Sequence, residues 1–585
     1  LSGTYSISPG LVAEMRYQYE QQTSSTWNMS NAELYYSRNL TNLYTQLVDS
    51  KPVYGIPVGA ILDQSTEQLT THSGRGQLNY DRSWNKHQLA ALAGMEIKQS
   101  KTIFNTGRTY GYDPDLLTYS NINYVDYLPT YMNLKGDQQV YDPKDFNKFV
   151  YRFVSYYANA SYTYENKYII SASTRKDASN VFGVRSNQKG VPLWSAGLRW
   201  NISQENFYDS DIFPVLAARL TYGYSGNTSN RLSAYTIISY NPAGYNYLIN
   251  EPFATITTPP NPDLRWEKTA TTNFGIDFRT KRDILSGSVD LYNKKSTDLI
   301  GNTPLDPTTG VTTMTMNSAS IKGYGLDISI AGKIIDRQQL KIAANLLFSY
   351  NTNKVTRYQY KYSKAISYLG SGINPLEGKP TDALLSYRWE GLDDQGNPQG
   401  WLAGKVSSDY SAIRSKTSLD DLVYSGRSLP PFYGAFRPVI TFRRWSLSAN
   451  ITYKLGHYFR RNSINYSALY QNWNGHSDFA GRWQQPGDEK TTTIPSMVYP
   501  ANSYRDEFYL QSAVLVDKAD IIRWKDISLQ YNYVPVGRSF FKQLQIFLYL
   551  DNIGTIYRAT RYNVDPEYGT MVPPRSISFG LKTSL

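Results

Sequence analysis

The side chains most able to do chemistry are few and scattered. Four histidines, His72, His87, His457 and His476, are present, and no two share a metal-ligand spacing. With no cysteine in the chain, a structural zinc site has no thiolate to build on. No metal and no cofactor is therefore expected. The carboxylate pairs Asp393-Asp394 and Asp420-Asp421 lie in polar stretches that read as loops, and no serine stands in a nucleophile elbow. Gly323-Tyr324-Gly325 leads into Leu326, Ile328 and Ile330 on alternate positions, so it enters a strand, whereas a phosphate-cradling glycine loop opens a helix. No catalytic residue is assigned and no enzymatic reaction is expected. One aromatic group stands out: Tyr466, Tyr470, Trp473, Phe479 and Trp483 fall in a single excursion. Exposed aromatic faces stack on sugar rings or bury peptide side chains, and Trp473, Trp483 and Tyr470 are the candidate substrate-binding residues. The competing role for the same rings is packing the excursion onto what lies beneath it or onto a partner.

The elements that would position such residues are strands. Trp445, Leu447, Ala449, Ile451, Tyr453 and Leu455 alternate with Ser446, Ser448, Asn450, Thr452 and Lys454. The same period of two sets Leu340, Ile342, Ala344, Leu346, Phe348 and Tyr350 against Lys341, Asn345, Ser349 and Asn351. It recurs at Leu11, Ala13, Met15, Tyr17 and Tyr19, at Leu216 to Tyr224, at Leu285 to Leu291, and at Ile577, Phe579, Leu581 and Leu585. Eleven residues at about 3.3 Å each, tilted by about 45°, cross a bilayer core. Counting such segments gives roughly eighteen, many paired by short turns such as Glu165-Asn166 and Arg443-Arg444. Between the pairs come long excursions at about residues 101 to 147, 227 to 267, 354 to 381, 393 to 430 and 459 to 513. The fold class read from this is all-β: a transmembrane, antiparallel, up-and-down β-barrel with long extracellular loops and short periplasmic turns.

Composition agrees. Aromatics are 14% of the residues and Tyr alone numbers 52, a side chain suited to membrane interfaces. The mean hydropathy of −0.49 looks soluble, but a barrel exposes alternate residues to a wet lumen. No run of 18 apolar residues exists, so a membrane crossing must be made by strands. The net charge of +12 is spread among strands and loops with no basic stripe, which argues against nucleic acid.

Particular stretches resemble one family, the SusC/RagA-type TonB-dependent transporters of Bacteroidetes. They are Tyr156-Tyr157-Ala158-Asn159-Ala160-Ser161-Tyr162, Lys167-Tyr168, Arg175-Lys176-Asp177-Ala178-Ser179, Phe182-Gly183 and Trp194-Ser195-Ala196-Gly197. Further along come Asn261-Pro262-Asp263-Leu264-Arg265-Trp266-Glu267, Tyr292-Asn293-Lys294-Lys295 with Asp298-Leu299, Pro430-Pro431-Phe432-Tyr433-Gly434, and Trp483 with Pro486-Gly487-Asp488. Arg523-Trp524-Lys525-Asp526-Ile527-Ser528-Leu529, Asp551-Asn552, Asp565-Pro566-Glu567 and Pro574-Arg575 complete the set, which runs from about residue 70 onward.

The resemblance implies a barrel of about twenty-two strands, blocked by an N-terminal plug, in the bacterial outer membrane. It implies import of large nutrients, glycan or peptide oligomers, with a SusD-like surface lipoprotein as lid and the TonB-ExbB-ExbD system supplying energy through the plug. Membrane lipid and lipopolysaccharide would surround it. No Ton box or plug motif is found, so residues 1–585 are expected to be the partial barrel domain of a longer polypeptide that begins in mid-barrel. The rival readings are a passive porin and a secreted, soluble, β-rich glycan-binding protein. A barrel should require detergent and should migrate differently on a gel before and after boiling; a chain that stays in solution without detergent would be the soluble protein instead.

Overall fold

The period-two segments become the staves of one sheet. The computed structural model describes residues 1–584 except 181–189, 228–233, 242–247, 249–250, 307, 309, 312, 363, 370–373, 536–539 and 570. Phe182, Gly183 and Leu585 lie outside the described residues. In chain order the strands are β1 (Ser2–Ser8), β2 (Leu11–Ser30), β3 (Ala60–Trp84), β4 (His87–Tyr112), β5 (Asp145–Tyr164) and β6 (Tyr168–Ser179). Then follow β7 (Gly190–Trp200), β8 (Val215–Asn227), β9 (Glu267–Arg279), β10 (Leu285–Pro304), β11 (Thr313–Asp336) and β12 (Leu340–Tyr358). The last are β13 (Phe432–Phe442), β14 (Trp445–Leu455), β15 (Ile521–Tyr533), β16 (Gln543–Arg558) and β17 (Ser576–Ser584). All belong to one 17-stranded sheet in which each strand pairs antiparallel with the next in sequence, an up-and-down meander. Among the described residues no ladder joins β1 to β17.

Register shows why alternation dictates this sheet. Tyr162, Ile170, Leu198, Leu220, Phe274, Leu291, Leu326, Tyr350, Phe432 and Leu455 are direct cross-strand partners in succession, an apolar row across ten strands. One residue along, the row reads Ser161, Ser171, Gly197, Thr221, Asn273, Tyr292, Gly325 and Asn351. A slip of one position would exchange the two rows, so the ladder is locked by which side faces lipid. The apolar row is open to the surroundings, with Leu198 54% and Leu291 50% exposed, as a lipid-facing band must be. From Phe442 to Phe432 the band spans eleven residues, about 25 Å after tilt.

Short turns close one end of the sheet. Asn85, Glu165, Asn166, Arg282, Asp283 and Arg443 all take positive φ there, the conformation that tight hairpins between twisted strands demand. Trp84, Tyr164, Tyr168, Trp200, Phe442 and Trp445 gather beside these turns as an aromatic girdle. The opposite end carries the excursions. The segments between the excursions expected at 354 to 381 and 393 to 430 do not join the barrel. Ala383–Ser386 pairs with Val423–Arg427 and Trp389–Leu392 with Pro398–Leu402, so 359–431 is one excursion. Among the described residues that brings the barrel count to seventeen strands against roughly eighteen. At 101 to 147 the loop is shorter than expected, because β4 continues to Tyr112 and β5 starts at Asp145.

Aromatic rings have a second task besides the girdles. Tyr157 lies opposite Gly94, Tyr292 opposite Gly325, Tyr453 opposite Gly434, and Phe547 opposite Gly580, each as a direct cross-strand pair. In every case the ring lies across the glycine: a Cβ at Gly325 would sit 2.3 Å from the Tyr292 ring, and one at Gly580 2.2 Å from Phe547. The Tyr453 hydroxyl donates to Leu347 O at 2.9 Å from that position. Gly325→Val should therefore unseat Tyr292 and cost about 1–3 kcal/mol. The urea midpoint of the heat-shifted gel band measures it, and an unchanged midpoint would show that the ring seat carries no stability.

Candidate functional site

Two excursions fold together into a lobe over the long-loop end. Helices α2 (Tyr410–Lys416), α3 (Tyr466–Asn472) and α4 (Ser503–Leu510) start at Asp409, Asn465 and Asn502, whose side chains accept the first free backbone N–H groups; α1 (Tyr35–Leu43) lies in another loop. The lobe has a soluble-protein core. Leu369, Leu385, Tyr387, Ile413 and Phe508 form one buried cluster, Ile464, Tyr466, Tyr509 and Leu515 a second, and Trp389 packs against both. Burial pushes the Tyr387 and Tyr509 hydroxyls up to about 12.

Buried arginines stitch the excursions to each other. Arg460 donates to Leu369 O at 3.2 Å and to Ser386 Oγ at 3.0 Å, and also to Leu385 O. Burial lowers its pKa to about 10. Arg505 reaches Gly396 O at 3.1 Å and Ser496 Oγ at 3.0 Å, and Arg461 pairs with Asp478. The lobe therefore presents a preformed surface rather than independent loops.

Three of the stretches that carry the family resemblance, around Arg523 to Glu567, Asn261 to Asp298 and Trp483 to Asp488, prove to be clamps at the loop end. Arg523 at the start of β15 donates Nη2 to Asp565 at 2.6 Å and Nε to Glu567 at 2.7 Å, while Lys454 also binds Glu567. Burial alone would raise both carboxyls; the cations beside them hold both below the usual range. Asn261 donates to Thr315 O at 2.7 Å, Arg265 pairs with Asp298 at 2.6 Å, and Glu267 accepts from Ile300 N and from Asn227. Leu264 and Trp266 are buried between them. Trp483 belongs to the same class. Its Nε1 donates to Glu489 at 3.2 Å, Glu489 also takes Gly487 N at 2.7 Å, and Asp488 accepts from Gln484 N and Gln485 N.

Beneath the rim, the inward rows form a polar, ion-paired wall. Arg199 and Arg219 are cross-strand neighbours, an arrangement that repels unless anions separate them. Arg199 binds Asp277 at 2.8 Å, and Arg219 binds Asp277 at 3.0 Å and Asp290 at 3.1 Å. Gly275 makes room, since a Cβ there would lie 2.8 Å from Arg219 Nη2. Arg75 with Glu96, and Arg437 through Asn450 to Asp526, continue the pattern. The wall offers hydrogen bonds along its inner face while its charges are matched.

The three candidate binding residues part company. Trp483 is half-buried over Gly396, where a Cβ would approach Cδ2 within 2.5 Å. Tyr470 packs in the second cluster, edge-on to Tyr499 at 5.2 Å, and its buried hydroxyl has no hydrogen-bond partner among the described residues. Only Trp473 is presented to solvent, 87% exposed, and it closes α3 in the left-handed conformation with φ 58°. The histidines serve locally: His72 with Tyr17 at 2.8 Å, His87 with Tyr162 at 2.6 Å, and His476 accepting from Asp478 N. His457 is buried at the foot of the lobe, where burial lowers its pKa. Among the described residues no cluster of potential metal ligands occurs. Sequence reasoning missed the buried arginines, for which adjacent Arg460-Arg461 gave no signal beyond charge.

Comparison with known proteins agrees with this architecture. A profile of the TonB dependent receptor-like β-barrel family matches residues 3–552. The chain is 26% identical over 545 residues to TonB-dependent receptor P39 of Formosa agariphila, covering 84% of this chain and 49% of that protein. To TonB-dependent receptor SusC of Bacteroides thetaiotaomicron it is 29% identical over 210 residues, 35% of this chain and 21% of the other. The fold superposes on the RagAB peptide transporter structure with a TM-score of 0.76 at 20% identity, over 100% of this chain and 61% of that one. The chain thus spans about half the length of the curated relatives it matches over most of its own length.

The geometry separates the two tryptophans experimentally. Trp483→Ala should empty the seat over Gly396 and destabilise the lobe by about 3 kcal/mol, while Trp473→Ala should change stability by less than about 0.5 kcal/mol. Hydrogen exchange of residues 456–520 measures both. Equal effects would mean that exposure does not distinguish them.

Proposed function

The chain belongs to the TonB dependent receptor-like β-barrel family, whose place is the outer membrane, and from that premise we propose that it is the wall and loop lobe of a SusC/RagA-type importer. The observation that carries this reading is the pairing of a polar, charge-matched inner wall with a folded lobe above it. A passive pore needs the wall alone; a lobe with its own core is what a receptor adds. The cargo class is large and polar, glycan or peptide oligomers, captured at the lobe and passed along hydrogen-bonding side chains. Trp473 is the contact residue at its surface, with Tyr470 and Trp483 holding the loop behind it. A SusD-like lipoprotein covers the lobe, and TonB supplies the energy through a plug. The protein performs no reaction of its own.

That no ladder joins β1 to β17 among the described residues supports the domain reading. In lipid each unpaired backbone group costs several kcal/mol. Further strands, together with the plug, are contributed from outside these 585 residues to complete the wall.

Uptake in the native bacterium tests the proposal. Deleting TonB should abolish growth on the cargo, and Trp473→Ala should lower uptake about tenfold, the cost of losing one aromatic stack, with the heat-shifted band intact. Uptake that continues without TonB would overturn the importer, and unchanged uptake by the Trp473 variant would remove that residue from the capture surface.

A further inference from the structure

The lipid-facing side of β6, β7 and β8 is not an even wall. Around outward-facing Ala218 stand Tyr168, Ile170, Leu198, Trp200, Leu220 and Phe274, and the small side chain among large ones leaves an apolar groove of about 500 Å³. These seven side chains belong to the same outward rows as the apolar band, while Ile169, Arg199 and Arg219, which also line the groove, are inward-row residues of the same strands; in the membrane the space between the outward side chains is filled by hydrocarbon.

Its position along the strands is informative. Tyr168 and Trp200 are direct partners at the short-turn end. Both turn their polar atoms away from the band: the Tyr168 hydroxyl and Trp200 Nε1, the latter at 3.0 Å, donate to Glu205. Lys167 reaches Glu205 at 3.2 Å and Glu165 at 3.6 Å, and Lys86 pairs with Glu165. The groove therefore opens in the periplasmic half of the band, with an apolar floor and a lip carrying two lysines and two glutamates. An apolar slot ending at a charge-balanced lip complements an acyl chain below a zwitterionic head group, whose phosphate would meet lysine and whose ammonium would meet glutamate.

We propose that this groove is a binding site for one zwitterionic phospholipid of the inner leaflet, retained by the protein, with an acyl chain over Ala218 and the head group at Lys167 and Glu205. The site is independent of what the barrel imports.

The test is native mass spectrometry of the full-length protein extracted from outer membranes in mild detergent. One phosphatidylethanolamine-type lipid per chain should survive washing. Ala218→Phe, which fills the groove, should reduce the retained fraction about tenfold, whereas Ala449→Phe on the outward row of β14 should not. Phe274→Ala, which removes one wall without crowding, should also reduce it, so a folding defect in the first variant does not decide the matter; the heat-shifted band reports folding in each. Equal retention by wild type and both groove variants would overturn the proposal. Retention of lipopolysaccharide instead, or a chain dimer broken by Ala218→Phe, would overturn it as well, the first by leaflet and the second by occupant.

Discussion

A bilayer leaves no backbone N–H or C=O unpaired without a cost of several kcal/mol, and this constraint organises the whole wall. It requires every strand to have neighbours on both sides, and among the described residues the meander meets it for β2 to β16 by pairing each strand with the next in sequence. Once the ladders are obligatory, side chains can only choose faces. The ten-strand row from Tyr162 to Leu455 and the polar row one residue away are that choice repeated without a change of register. Bulges appear near the rim, between Ser296 and Leu299 and between Ile522 and Arg523, where the wall gives way to loops and strict pairing relaxes.

Above the band the governing physics changes. The lobe of residues 359–431 and 456–520 is held by apolar burial, helix caps and buried arginines that donate to carbonyls, the means of a soluble domain. The clamps of Arg523 on Asp565 and Glu567, and of Arg265 on Asp298, sit at the boundary between the two regimes. There the barrel has stopped supplying ladder bonds and the loops have not yet gained a core, so charge-assisted bonds bridge the gap.

This division explains what could be read in the sequence. Trp445 to Leu455 and Leu340 to Tyr350 were legible as strands because a lipid face and a water face leave a period of two that needs no knowledge of partners. Ala383–Ser386 and Trp389–Leu392 were not placed correctly, since strands inside a lobe answer to a local core and carry no such signature. The rim motifs were recognisable as family features, yet Asn261, Arg265 and Glu267 reveal their role only when partners such as Thr315, Asp298 and Ile300 are brought across strands. The candidate aromatics were found by type, but type could not tell a ring that seats a turn from one that meets solvent.

Trp473 and Trp483 show how that last distinction is made. Trp483 sits where burial and a hydrogen bond to Glu489 reward an indole, so its presence is accounted for by the turn it holds. Trp473 has no such account. It occupies the left-handed position at the end of α3, where glycine is preferred, and leaves 87% of its surface in water, although Gly475 stands only two residues on. Backbone strain of about 1–3 kcal/mol and an exposed indole are both unfavourable in the isolated protein. A residue that opposes the stability of its own loop twice over finds no reward inside that loop, and this is the physical reason for proposing the capture surface at Trp473 rather than at the ring that folds best.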